Sequence, residues 1–193
     1  MKEPLLYCIL RPIIKILVKL VFRPTYIGLE NIPKSGRVVL AGNHTNNFDS
    51  VLLISSTKRV VHFLAKDSLT KGPLGPIFKA MGIIPVNRSI HDKNALKSAI
   101  NTLEQDKVIG IFPEGTINRT EDIIMPFKIG AVKMSKETNS QIVPFIITGK
   151  YKIFKKSVTI EFLKPIEIKS DNLTKENEKL MKIISTKLEE KRS

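Results

Sequence analysis

Cysteine is nearly absent from the 193 residues: Cys8 stands alone, so no intramolecular disulfide can form and nothing points to an oxidising compartment. Its neighbours are apolar, and a thiol so placed is expected to behave as a small hydrophobe rather than a nucleophile. Histidine is scarce as well. His44, His62 and His91 have no ligand spacing among themselves and no cysteine cluster beside them, so no metal site is expected. Tryptophan is missing and aromatics make up only 6%. With no RNA- or DNA-binding motif in sight, that argues against nucleic acid as a partner. There is no Gly-x-Ser-x-Gly elbow, which argues against a covalent serine mechanism. Long hydrophobic runs are missing too. The longest uncharged stretch near the N-terminus, Pro4 to Leu10, is far below the ~20 apolar residues of a spanning helix. A signal peptide would keep its basic residues ahead of its apolar core and add a small-residue cleavage site, and neither feature is found.

Acidic residues are also in deficit, 18 against 32 Lys and Arg, giving a net charge of +14. Such a surplus favours an anionic partner: nucleic acid, an anionic membrane or a phosphorylated substrate. The distribution of charge is more informative than its sum. From Leu5 to Phe22 the residues are mostly Leu, Ile and Val, while Arg11, Lys15, Lys19 and Arg23 recur every four residues. On a helix these cations form one basic stripe within an apolar surround. A helix of that kind can lie in the membrane interface with its cations on lipid phosphates. The alternative is a terminal helix packed on its own domain with solvated Lys and Arg. Pro12 is expected to kink the helix or to mark the first turn of its main part.

Beyond this helix, Pro24 to Gly36 reads as a connecting loop, broken by Gly28, Pro33 and Gly36. Strands are predicted over 38–41, 60–65, 83–86, 108–112, 142–148 and 158–162, several of them buried on both faces. Helices are predicted over 50–56, 74–81, 92–105, 129–137 and 174–191. The 193 residues fit one domain with a core of its own. No internal repeat, low-complexity tract or splitting linker interrupts it. The expected fold is a single α/β domain with a mostly parallel central sheet flanked by helices, preceded by the amphipathic N-terminal helix.

Two motifs fall just past predicted strands, where α/β sheets place their sites. The first is Gly42-Asn43-His44-Thr45-Asn46-Asn47-Phe48-Asp49, and the second is Phe112-Pro113-Glu114-Gly115-Thr116. On a continuous helix, residues five apart point about 140° away from each other, so His44 and Asp49 can meet only across a turn. Asn46 and Asn47 suit such a turn, with a helix starting near Asp49 or Ser50. A carboxylate on one imidazole nitrogen would orient the ring and leave the other nitrogen to take a proton. In the second motif Gly115 lets the backbone approach a ligand. Glu114 needs a partner if buried, and Arg88 and Lys128 are the candidate cations. A His–carboxylate couple followed by such a turn is what transfer of an acyl group to an alcohol near a phosphate would need.

These segments resemble the blocks of the lysophosphatidate (1-acylglycerol-3-phosphate) acyltransferase family. Asn43-His44 through Asp49 is similar to its first block, Gly82 through Arg88 to its second, Phe112 through Thr116 to its third, and Val143-Pro144-Phe145 to its fourth. They occur in the family's order over residues 43 to 145, about half the chain. The resemblance implies that His44 is the general base, oriented by Asp49, and that Arg88, Glu114, Gly115, Thr116 and Lys128 hold the glycerol phosphate. It divides the chain into an amphipathic membrane-interface helix, residues 1–24, with Arg11, Lys15 and Lys19 as membrane contacts, and an acyltransferase domain, residues 25–193. It implies a phosphatidate-forming enzyme of phospholipid synthesis, peripheral or monotopic on the cytoplasmic face of an anionic membrane. The co-substrate would be a thioester of coenzyme A or acyl carrier protein, with no cofactor. Two positions depart from the pattern. Asn46 stands where a small hydroxyl residue is usual, and Ile117 stands where Arg commonly follows the Thr, with Arg119 two residues on. The alternatives are another lysolipid acceptor, or a basic nucleic-acid- or lipid-binding protein without catalysis. Binding alone, however, has no need of a His–Asp couple.

Overall fold

A computed structural model describes residues 3–87 and 92–192 of the chain. Its strands are β1 (Thr25–Ile27), β2 (Val38–Gly42), β3 (Val61–Lys66), β4 (Ile84–Val86), β5 (Val108–Ile111), β6 (Gln141–Gly149) and β7 (Val158–Phe162). They form one sheet in the order β1-β7-β6-β2-β5-β3-β4. The run from β6 to β4 is parallel throughout. β7 pairs antiparallel with β6, and β1 pairs parallel with β7. The sheet is therefore mostly parallel, as expected from strand–helix alternation.

Its centre is β2, every residue of which is buried. Period-two alternation sends Val38 and Leu40 to one side of the sheet and Val39 and Ala41 to the other. The first side packs against α1 (Leu5–Val21) and α2 (Asp49–Ser56). The second packs against α5 (Lys93–Glu104), α6 (Gly130–Thr138) and α7 (Leu173–Glu190). Two of these helices begin at side-chain caps. Asp92 caps α5 by accepting from the Ala95 N–H, and Asn172 caps α7 by accepting from that of Lys175. On α7, Leu180, Ile184 and Leu188 recur at four-residue spacing and all are buried.

The predicted elements recur with shifts of a residue or so at their ends. Three short ones were not expected: β1 within the supposed 24–36 loop, a 3₁₀ turn at Leu29–Asn31, and α3 (Asp67–Lys71) ahead of α4 (Gly75–Ala80). β1 has three residues and half-open sides, so period-two patterning had almost nothing to register on.

The N-terminal helix packs on its own domain along one face and leaves a second, apolar face open. Tyr7, Val18 and the following Phe22 are buried in the core cluster shared with α2 and the sheet. The Tyr7 hydroxyl accepts from the Val61 N–H. Glu3 sits 3.3 Å from His62 and 3.7 Å from Lys107. On the outer side Leu5, Ile9, Ile13, Ile16, Leu17 and Leu20 are each about half exposed or more, a continuous apolar arc opposite the packed face. Lys15 and Lys19 are exposed at the edge of that arc. Arg11 turns inward instead: its Nε donates to the Thr57 carbonyl that closes α2. Pro12 lies inside α1 rather than at its first turn, and the helix runs through it. None of the described helices is long and apolar enough to cross a membrane.

Candidate active site

Three neighbouring strands, β6, β2 and β5, end side by side, and the segments leaving their carboxyl ends converge. His44 follows β2, Glu114 follows β5 and Tyr151 follows β6. This is the edge at which an open parallel sheet gathers loop residues.

The turn from Asn43 to Asp49 is held by its own side chains and by partners from the neighbouring segments. Asn43 is anchored to β6 through its amide, which donates to the Ile147 carbonyl and accepts from the Ile147 N–H. Asn46 accepts from the Phe48 N–H, an Asx turn that reverses the chain before α2 begins at Asp49. The Asp49 carboxylate is fully buried and folds back over this turn. Its Oδ2 accepts from the N–H groups of Thr45 at 2.6 Å and Asn46 at 2.8 Å. Nδ1 of His44 lies 2.9 Å from the same oxygen. The other oxygen, Oδ1, accepts from the Tyr151 hydroxyl at 2.7 Å and from the Thr45 hydroxyl at 3.3 Å. A buried carboxylate so supplied with donors is held in place by them. Because Asp49 can only accept, Nδ1 of His44 carries the proton and Nε2 is left as the basic nitrogen. The imidazole stacks on Phe112, with centroids 4.1 Å apart and planes at 13°, which restricts its rotation. His44 and Asp49 thus meet across a turn, as the five-residue spacing requires.

Glu114 has different partners from those expected. It is buried, yet its partners are main-chain groups: Oε1 accepts from the His44 N–H at 2.7 Å and Oε2 from the Met125 N–H at 2.9 Å. It ties the two motifs together and fixes the backbone at His44. Burial pushes its carboxyl above the usual carboxylate range, against the opposing pull of the Met125 and His44 N–H groups. Gly115 sits at φ +75°, and a Cβ there would come within 2.8 Å of Lys128 Cε and 2.9 Å of its Nζ. The missing side chain is what lets Lys128 lie across the turn, and the Lys128 N–H donates to the Pro113 carbonyl. Thr116 and Arg119 are exposed on the same loop. Arg88 lies outside the described residues. Among the described residues, no three His, Cys, Asp or Glu side chains gather as a metal-ligand set.

Tyr151 was not foreseen. Burial above all, with the neighbouring Asp49 charge second, raises its pKa, so the phenol stays protonated and remains a donor. Its ring packs against Phe22, at 5.2 Å, and Phe48, at 5.7 Å, which links the end of α1 to the site. The strand order β6-β2 brings it there, and that order is not written in any local motif.

The family model described as acyltransferase matches residues 23–148, which covers every side chain named in the first two motifs. The chain belongs to the acyltransferase family. Similar members include a 1-acyl-sn-glycerol-3-phosphate acyltransferase of Borreliella burgdorferi, 35% identical over 164 residues, covering 76% of this chain and 65% of that one. Another, of Bacillus subtilis and the same description, is 30% identical over 122 residues, covering 62% and 60%. The chain thus spans about two thirds or less of the length of these relatives. Among solved structures, the 1-acyl-sn-glycerophosphate (LPA) acyltransferase of Thermotoga maritima superposes with a TM-score of 0.78 over 97% of this chain and 81% of that chain, at 20% identity. At that identity the likeness speaks for the fold, and both are α/β acyltransferase folds.

Proposed function

We propose that this acyltransferase moves a fatty acyl group from an acyl thioester to the free hydroxyl of 1-acylglycerol 3-phosphate, making phosphatidate for phospholipid synthesis. The observation that carries the reading is the His44–Asp49 pair, held at 2.9 Å with Nε2 left basic. Nε2 takes the acceptor's hydroxyl proton as that oxygen attacks the thioester carbonyl. As the tetrahedral intermediate collapses, the C–O bond remains, the C–S bond breaks, and the imidazolium returns the proton to the leaving thiolate. Asp49 keeps the ring in the required tautomer and steadies the imidazolium. Coenzyme A or acyl carrier protein carries the donor acyl group, and no cofactor takes part.

The acceptor's phosphate is assigned to Lys128 and Arg88, with Thr116 and the main chain at Gly115 beside them. A flexible ammonium crossing a glycine turn suits an anionic headgroup, and Glu114 serves by fixing the turn. The named relatives act on 1-acyl-sn-glycerol 3-phosphate, which favours this acceptor over other lysolipids. The enzyme works on the cytoplasmic surface of an anionic membrane, with the exposed apolar arc of α1 in the lipid interface and Lys15 and Lys19 on lipid phosphates. Moving one such Leu or Ile fully out of water is worth about 1.5–3 kcal/mol, so six of them provide ample affinity even if each is only partly immersed.

Purified protein supplied with lysophosphatidate and an acyl thioester tests the reaction. Free thiol and phosphatidate are expected in equal amounts, with thiol release dependent on the acceptor. Thiol release that ignores the acceptor would mean a thioesterase, and turnover only with a non-phosphorylated acceptor would remove the phosphate assignment.

A further inference from the structure

The loop between β6 and β7 carries Lys150, Lys152, Lys155 and Lys156 with no acidic residue among them, and all four are exposed. Between them Ile153 and Phe154 are each 65% exposed. Phe154 also holds φ +59°, in the left-handed region that a bulky aromatic rarely adopts and that Asn or Gly tolerates better. Neither burial nor backbone preference accounts for phenylalanine at this position. The Phe154 N–H donates to the Val21 carbonyl, so the tip of the loop is fastened to the end of α1. Leu17 and Leu20, more than half exposed, lie within the turn of α1 that precedes that carbonyl. The apolar tip therefore adjoins the outer arc of the helix, and its rim of cations complements an anionic surface.

We infer that the β6–β7 loop is a second membrane contact, with Ile153 and Phe154 entering the acyl boundary of an anionic bilayer and the four lysines engaging lipid phosphates. The inference rests on the membrane placement of α1 and adds to it what one helix does not supply. The apolar arc sets the roll of the helix in the interface, but a single helix leaves its end free to lift from the surface. A second contact beside its end removes that freedom. The loop also carries Tyr151, whose hydroxyl donates to Asp49, so the segment that meets the lipid is the one that steadies the site's buried carboxylate. Seating both contacts turns the carboxyl edge of the sheet, and His44 with it, toward the surface from which a lysolipid would enter.

The chain contains no tryptophan, so one introduced Trp reports on one place. Ile153→Trp and, separately, Leu17→Trp on α1 would be read by fluorescence with vesicles of equal parts phosphatidylglycerol and phosphatidylcholine. Both emissions are expected to shift to the blue and to be quenched by lipids brominated on their acyl chains. If Leu17→Trp responds and Ile153→Trp does not, the loop stays in water and the inference is overturned while α1 keeps its role. If neither responds, the membrane placement itself fails and the loop falls with it. A 153 reporter that responds to acyl carrier protein and not to vesicles also overturns the inference. Phe154→Asn suits the left-handed backbone and deletes only the apolar tip. It is expected to keep the wild-type melting temperature and to weaken vesicle affinity by roughly tenfold, and unchanged affinity would count against the inference.

Discussion

Asp49 receives more hydrogen bonds than orienting one imidazole needs. Two main-chain N–H groups and two hydroxyls join His44 on its two oxygens, so the carboxylate is fixed before the imidazole is. Asp49→Asn replaces one acceptor oxygen with a donor that faces N–H groups. It is expected to lower kcat and to destabilise the fold by at least about 1–3 kcal/mol, the cost of unsatisfied buried polar groups, seen as a fall in melting temperature. Tyr151→Phe is milder. It removes one hydrogen bond to a charged group, a contact worth about 1.5–3 kcal/mol, part of which serves orientation. Steady-state kinetics should show kcat down by roughly tenfold with KM little changed, and an unchanged kcat would confine Tyr151 to packing. Glu114 carries a pH signature. Its folded-state pKa is raised by burial, so the folded state binds the proton more tightly than the unfolded chain. Stability from this group therefore decreases as pH rises: the penalty is absent below the unfolded value, near pH 4, and complete above the raised folded one. In Glu114→Gln that part of the slope should vanish from melting temperatures measured from about pH 4 upward, while one of the two N–H groups loses its acceptor. Of these residues, His44, Asp49 and Glu114 are legible in the sequence because they stand in short motifs next to predicted strands. Glu114's partners were not, because main-chain N–H groups leave no mark in a pattern of side chains. Tyr151 was not, because its place depends on which strands are neighbours.

Among the elements, α1 joins the packed core to an exposed apolar face. Its stripe of cations divides in the structure by what each side chain touches. Arg11 closes α2 through the Thr57 carbonyl, whereas Lys15 and Lys19 stand free at the edge of the exposed arc. Arg11→Gln should therefore lower the melting temperature. Changing Lys15 and Lys19 to Gln should leave stability alone and weaken binding to anionic vesicles by about 1 kcal/mol per charge, with a flatter salt dependence. Vesicle sedimentation over a salt series separates the two, and equal effects from all three would restore the single basic stripe. Deleting the helix is a poor test, because Leu52, Leu53 and their neighbours in the core would lose Tyr7, Val18 and Phe22 as cover. Replacing Ile9, Ile13 and Leu20 with Ser keeps the packed face and removes the outer one. The amphipathic character of the helix was readable from its four-residue charge repeat. That it presents two apolar faces, one inward and one outward, was not, since periodicity alone shows how wide an arc is and not how much of it the domain covers.

At the scale of the whole molecule, the sheet brings residues 43–49, 112–116 and 151 to one edge, although they lie on three separate strands. The alternation of apolar runs and helical patterns was enough to expect a mostly parallel sheet with its site at the carboxyl ends. It could not give the order β6-β2-β5 that makes those ends neighbours. The net charge of +14 also belongs to this scale: on the proposed function it would raise the local concentration of anionic lipid and thioester around the protein. Activity on lysophosphatidate in anionic vesicles should fall as salt rises above about 0.1 M, where the Debye length is about 10 Å. With a short-chain, water-soluble acceptor it should fall less. The proposed base of the acyl transfer, His44 positioned by Asp49, is tested most simply by acceptor-dependent thiol release in His44→Ala beside the wild type. A loss of at least ~10²-fold in kcat, with circular dichroism and vesicle binding unchanged, is the predicted result. Near-normal turnover in His44→Ala would contradict it.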